Sequence, residues 1–269
     1  MRFWCSGIVA AIAAGSAALG SIPLAVAASA PSAVPDFSGY WEKPGNESGR
    51  MFHPPASGPG PVLRTADAGE FSIGDHTNPI LTPRAAAAVK AFGDSGRGGK
   101  VELPAWSLCW PSGVPLVLNM AEPVQFLQTP DQITILYTRD MQVRRIHLNQ
   151  QHPTNLKPSW YGYSVGRYEN GDTLVVDTRG QNSKALVDRF GTPRSENIRV
   201  IERYKLGPDK KTIRVDFTVE DPQMFTTAWS AHVTYERSDV PIHERICAEN
   251  NKNPDGGEFP VPAATKADF

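Results

Sequence analysis

From residue 114 onward the chain is divided into short segments of 5 to 10 residues separated by turn-forming residues, with no helical pattern between them. The segments are "VQFLQ", "QITILYT", "QVRRIHL", "YSVGRY", "TLVVDT", "NIRVIERYKL", "TIRVDFTVE", "AWSAHVTYER" and "HERICAE". Short strands following one another without crossover helices predict an antiparallel all-β domain. With eight or nine strands, closure into a barrel removes the exposed edges; two packed sheets are the other solution.

The rest of the chain is organised around that domain. Arg2 precedes a run of Ala, Ile, Val and Leu, and Ala25-Val26-Ala27 is a small-x-small cleavage pattern. Residues 1–27 are therefore expected to be a signal peptide cut near Ala27, leaving a periplasmic or secreted protein with no membrane span in its mature form. An uncleaved anchor is the rival, disfavoured by the short apolar run and by Pro23. Residues 28–100 read as a Pro/Gly-rich, irregular N-terminal arm with Tyr40 and Trp41 as anchors. It contains one short helix over 83–92, capped by Thr82, started by Pro83 and ended by Gly93. "GDSGRGGK" then reads as a loop; with no strand before it and no helix after it, it does not fit a phosphate-binding motif. The barrel domain is expected over 101–269.

Charge narrows the partners. Lys+Arg number 27 against 28 Asp+Glu, interspersed, for a formal net charge of -1. A nucleic-acid surface would need a basic face, so none is expected. Without the signal segment two cysteines remain, Cys109 and Cys247. An even count in an oxidising compartment favours a disulfide, and no CxxC spacing supports a thiolate metal pair.

The hairpin "SVGRYENGDTLVVDT" raises the functional question. Asn170-Gly171 signals a two-residue turn, which pairs Glu169 with Asp172, Arg167 with Leu174 and Val165 with Val176. That register places Arg167 on the apolar face. In "NIRVIERYKL", alternation likewise places Glu202 on the apolar face with Ile198, Val200 and Tyr204. Arg167 and Glu202 are thus expected inside the barrel, either as a register-fixing salt bridge or as the floor of a ligand pocket where Glu202 has a raised pKa. His152, in a loop before Pro153, is a candidate acid or base at the barrel mouth, against a plain surface turn. Tyr137, Trp160, Tyr204 and Trp229 are candidate aromatic walls. His147 and His152 lack a third ligand, so no metal is expected, and missing motifs point to no cofactor. Neither a GxSxG nucleophile nor a two-carboxylate pair is evident; Glu220 and Asp221 are adjacent and point apart along a strand.

The order of several pieces resembles a large family of exported bacterial proteins, mostly of unassigned function. They are "CWPSGVP", "EPVQFLQTPDQITILY", "HPTNLKPSWYGYSVGRYENGDTLVVDT", "RSENIRVIERY", "EDPQMFTTAW" and "ERICAENN", across roughly residues 36 to 252. The chain departs from the family pattern twice. The usual Trp-Glu-Gly-Asp turn is here Tyr168-Glu169-Asn170-Gly171-Asp172, and Arg194 stands where many members have a histidine before the serine. The resemblance implies a calycin- or lipocalin-like barrel with an oxidised cysteine pair. It also associates the chain with exported lyases of aromatic-degrading bacteria that shed formaldehyde from lignin-derived dimers.

Two functions are therefore expected to compete. One is a cofactor-independent lyase or isomerase (cleaving carbon–carbon or carbon–oxygen bonds) in aromatic compound catabolism, with Glu202 or His152 moving a proton and Arg167 steadying a phenolate or enolate. The other is a periplasmic small-molecule-binding barrel without turnover.

Overall fold

A computed structural model describes residues 34–45, 52–68, 72–98 and 108–247. The segment read as a signal peptide lies outside them. Nine strands close into one barrel in chain order. They are β1 (Gly39–Glu42), β2 (Val124–Gln128), β3 (Gln132–Tyr137), β4 (Gln142–Leu148), β5 (Tyr163–Glu169), β6 (Thr173–Arg179), β7 (Arg199–Leu206), β8 (Thr212–Glu220) and β9 (Trp229–Ser238). The expected alternation is visible in what faces inward. Ile133, Ile135 and Tyr137 from β3 meet Val200 and Tyr204 from β7, Ile213, Val215, Phe217 and Val219 from β8, and Val233 and Tyr235 from β9, all buried.

Three expectations are corrected. "HERICAE" forms no strand in its described residues, 243–247; the ninth strand is β1, from the segment read as an irregular arm. It bridges β2 and β9, with Gly39 opposite Phe126 and Glu42 opposite Glu236. Trp41 is its buried anchor, its indole nitrogen donating to the Phe37 carbonyl at 2.9 Å. The helix α1 runs Pro83–Arg97, past Gly93. Gly93 marks a close approach instead of a stop, since a Cβ there would sit 3.0 Å from Ile73 Cγ2.

The third correction is that the barrel is not wholly antiparallel. β4 and β5 run parallel, joined only over Ile146–Leu148 and Ser164–Gly166. A parallel neighbour requires a crossover, and residues 149–162 provide it. Gly166 suits the seam, because a Cβ there would meet Ile146 Cγ2 at 2.8 Å.

The disulfide is present. Cys109 and Cys247 are bonded with Cα atoms 5.4 Å apart and 138 positions apart in sequence. Closing so long a loop stabilises by roughly 4–5 kcal/mol in the chain-entropy account. The Arg245 guanidinium pairs with Glu122 at 2.9 Å, and the Cys247 amide donates to Asp140, so the end of the described chain is held at three points. Among the described residues no helix is long and apolar enough to cross a membrane.

Candidate functional site

The hairpin differs from expectation by one residue, and that displaces the expected site. Asn170 and Gly171 both have positive φ, but the loop has three residues: Glu169 pairs with Thr173, Tyr168 with Leu174 and Arg167 with Val175. A one-residue slip exchanges the two faces of a strand. Leu174, Val176 and Thr178 thereby face inward beside Ser164 and Gly166, and Arg167 faces out. Its side chain is 60% exposed and pairs with Glu169 at 2.6 Å, itself bound to Arg203. Arg167 is not part of the interior.

Glu202 is buried as expected, and its partner is Arg144 of β4. Their side chains are 0% and 1% exposed. Arg144 Nη1 donates to Glu202 Oε1 at 2.8 Å, while Nη2 donates to Oε2 in a bidentate pair. Nη2 also donates to Thr178 Oγ1 at 2.9 Å and, with Nε, to Ser164 Oγ at 3.2 and 3.3 Å. Tyr204 donates to Glu202 Oε1 at 2.7 Å and accepts from Arg144. Burial opposes the charge of Arg144, but the attraction of Glu202 and Tyr204 and the hydrogen bond to Glu202 together drive its pKa well above the ordinary value. Burial pushes the Tyr137 phenol up to about 12, and its hydroxyl finds no partner among the described residues. Glu202 is therefore half of a buried ion pair, formed with Arg144 and not with the expected Arg167.

His152 does not join this cluster. Its Nε2 lies 3.6 Å from Asp177 Oδ2, beside Arg179 and Arg199. Asp177 alternates with the inward Thr178, so His152 sits against the outer face of β6. Burial lowers its pKa against the opposing pull of Asp177. The two arginines hold the Asp177 carboxyl down at about 2 despite burial. Trp229 is also elsewhere, packed edge-on to Phe217 and Phe225 and tilted against Phe52.

The structure instead opens a lateral cleft of about 410 Å³ at the parallel seam, beside the unpaired half of β4. Gln142, Val143, Arg144, Arg145 and His147 form one wall and Ser159–Tyr163 the other, with Pro111 at the rim. The cleft exists because the second wall is drawn away from β4. The Ser159 amide donates to Gly180 O at 3.0 Å, the Asn182 amide to Ser159 O at 2.8 Å, and Arg194 Nη2 to Trp160 O at 3.1 Å. Trp160 is the one expected wall residue that lines it. His147 stacks on Tyr163 at 4.5 Å between centroids, Tyr161 on Tyr137 at 6.1 Å, and Trp110 leans on Trp160 at 5.5 Å. Tyr161 donates to Gln142 Oε1. Tyr137 and Tyr204 stand behind this wall, in the interior.

Arg194 is a second buried arginine. Nε donates to Asn182 O at 2.7 Å, Nη1 to Gln181 Oε1 at 2.9 Å and Val114 O at 3.4 Å, and Nη2 to Asn182 Oδ1 at 3.3 Å besides Trp160 O. No carboxylate touches it among the described residues, and burial pulls its pKa down to about 10. Asp188 is its counterpart of opposite sign. It accepts from the Phe190 and Thr192 amides, and burial, against these bonds and the Thr192 side chain, raises it to about 6. Among the described residues no three His, Cys, Asp or Glu side chains gather as a metal site.

No protein-family model matches the chain, and no curated protein matches it either.

Proposed function

We propose that this chain is an exported, calycin-like barrel that binds a small aromatic molecule in the lateral cleft. The observation that carries this reading is the lining itself: Trp160, Tyr161, Tyr163 and His147 present ring surface around a cavity of about 410 Å³, within the usual range for small ligands. Aromatic rings recognise one another by offset and edge-on contact beyond simple area burial. The barrel interior, filled by Tyr137, Tyr204, Tyr235, Phe126, Phe217 and the Arg144–Glu202 pair, is the less suitable place.

A second reading is favoured by one observation. His147 reaches the cleft with its ring stacked on Tyr163, and an imidazole can take or give a proton at neutral pH. The barrel would then be a cofactor-independent lyase or isomerase on lignin-derived aromatics, with His147 in the proton-transfer role first given to Glu202 and His152.

Titration of the protein with a stilbene, read by tryptophan fluorescence and calorimetry, tests the first reading. Trp160→Ala should bind about tenfold more weakly if the ring is a wall; unchanged affinity in a folded variant removes the cleft from consideration. Incubation with lignin-type dimers, followed by mass spectrometry for loss of formaldehyde, tests the second. His147→Gln should then stop turnover outright, whereas binding, which loses one ring of the wall and keeps Trp160, should weaken only severalfold.

A further inference from the structure

The charge of the cleft goes further than its shape. Among the described residues its lining holds two arginines and a histidine and not one carboxylate, on a chain whose formal net charge is -1. The two arginines differ in what they can offer. Arg144 is spoken for by Glu202, Thr178, Ser164 and Tyr204. Arg145, next along β4, points to the outer face, where its cross-strand neighbour is Thr134. It makes no hydrogen bond or ion pair with any described residue, whereas surface arginines such as Arg167, Arg199, Arg203 and Arg214 each have a carboxylate within reach. An unengaged guanidinium beside three aromatic rings offers a planar two-point donor at the edge of a stacking surface.

We propose that the ligand is an aromatic carboxylate, its ring lying against Trp160 and the His147–Tyr163 stack and its carboxylate paired with Arg145. This rests on the cleft being the binding site, and adds the anion. The ring supplies contact area, while the guanidinium selects the acid over its neutral analogues. Because Arg145 is exposed, the selection should be moderate and salt-sensitive.

Cinnamate and cinnamamide, of nearly equal shape, separate the two ideas when titrated into the wild-type protein, Arg145→Gln and Trp160→Ala. Cinnamate should bind about fivefold to tenfold more tightly than the amide at low ionic strength. The gap should close in Arg145→Gln, with amide affinity unchanged, and shrink on adding salt. Equal affinities in the wild type, both weakened by Trp160→Ala, would overturn the carboxylate and leave the cleft standing. Binding of both probes untouched by Trp160→Ala, or no binding of either, would overturn the cleft and the carboxylate together.

Discussion

Arg144 and Arg194 are both buried, both flank the same cleft, and are stabilised by opposite means. Arg144 meets a full negative charge in bidentate contact, with three hydroxyls filling its remaining donors. Among the described residues Arg194 meets only the oxygens of backbone carbonyls and of the Gln181 and Asn182 amides. The first arrangement cancels charge inside the barrel wall and locks β4 to β6 and β7. The second leaves a net cation but gathers the loops at 114, 160 and 181–182 around one fork. One is a strut of the barrel; the other sets where the far wall of the cleft stands. Charge cancellation suits a site that must not move. Dipole solvation suits one that must join several irregular segments.

The contrast is broken most readily at Arg144. Arg144→Met leaves the Glu202 carboxylate buried with Tyr204 as its remaining partner, and should cost about 3–5 kcal/mol in urea melts. Adding Glu202→Leu should recover most of that. Additive losses would mean that the carboxylate is not what sustains Arg144.

Asp188 extends the comparison to a buried carboxyl held by backbone amides and Thr192. Its folded pKa of about 6 lies above the ordinary 3.8, so the folded chain holds the proton more tightly than the unfolded chain. Its stabilising effect is full below pH about 4 and is lost as pH rises through about 6, up to about 3 kcal/mol in all. Asp188→Asn can still accept from both amides and should flatten that slope, gaining stability at pH 7. A variant with the wild-type slope between pH 4 and 7 would show that burial does not govern this group. Asp177, held at about 2, loses its contribution only as pH falls below about 4, outside that window.

Arg194→Met should have the smallest effect, about 2 kcal/mol from bared carbonyls. No single second substitution should rescue it, because its acceptors are spread over the backbone. The Trp160 environment should change with it, read by fluorescence. A rescue by altering one neighbour would place Arg194 with Arg144 as a paired charge.

Much of the barrel was legible because strands write their burial into alternate residues. The eight strands from β2 to β9 coincide with segments visible in the sequence, and Glu202 stood out as the polar member of an inward row. Arg144 carried the same signal: Gln142, Arg144, Ile146 and Leu148 form one row of "QVRRIHL" and Val143, Arg145 and His147 the other. With two arginines adjacent, one had to face in. The Asn170-Gly171 signal pointed to a two-residue turn, but its positive-φ pair also serves a three-residue loop, and only partnership with β7 decides between them. Arg194 lies in a loop, where no periodicity marks burial. The cleft depends on a parallel crossover and on hydrogen bonds from residues 159–160 to 180–182 and Arg194, contacts that no local pattern encodes.

The clasp formed by β1 has a kinetic consequence. Tyr40 pairs with Ser238 and Trp41 with Arg237, whose guanidinium covers the Trp41 ring at 4.2 Å and donates to Ser38 O. The strands from β2 to β9 can assemble as successive neighbours, but the last gap closes only when the two ends of the described chain find each other. Contacts so distant in sequence incur loop-closure entropy before they return any stability. Barrel closure is thus expected to be the slow step of folding. The same adjacency of the ends makes this barrel a natural candidate for circular permutation, with β1 carried to follow β9 as a hairpin.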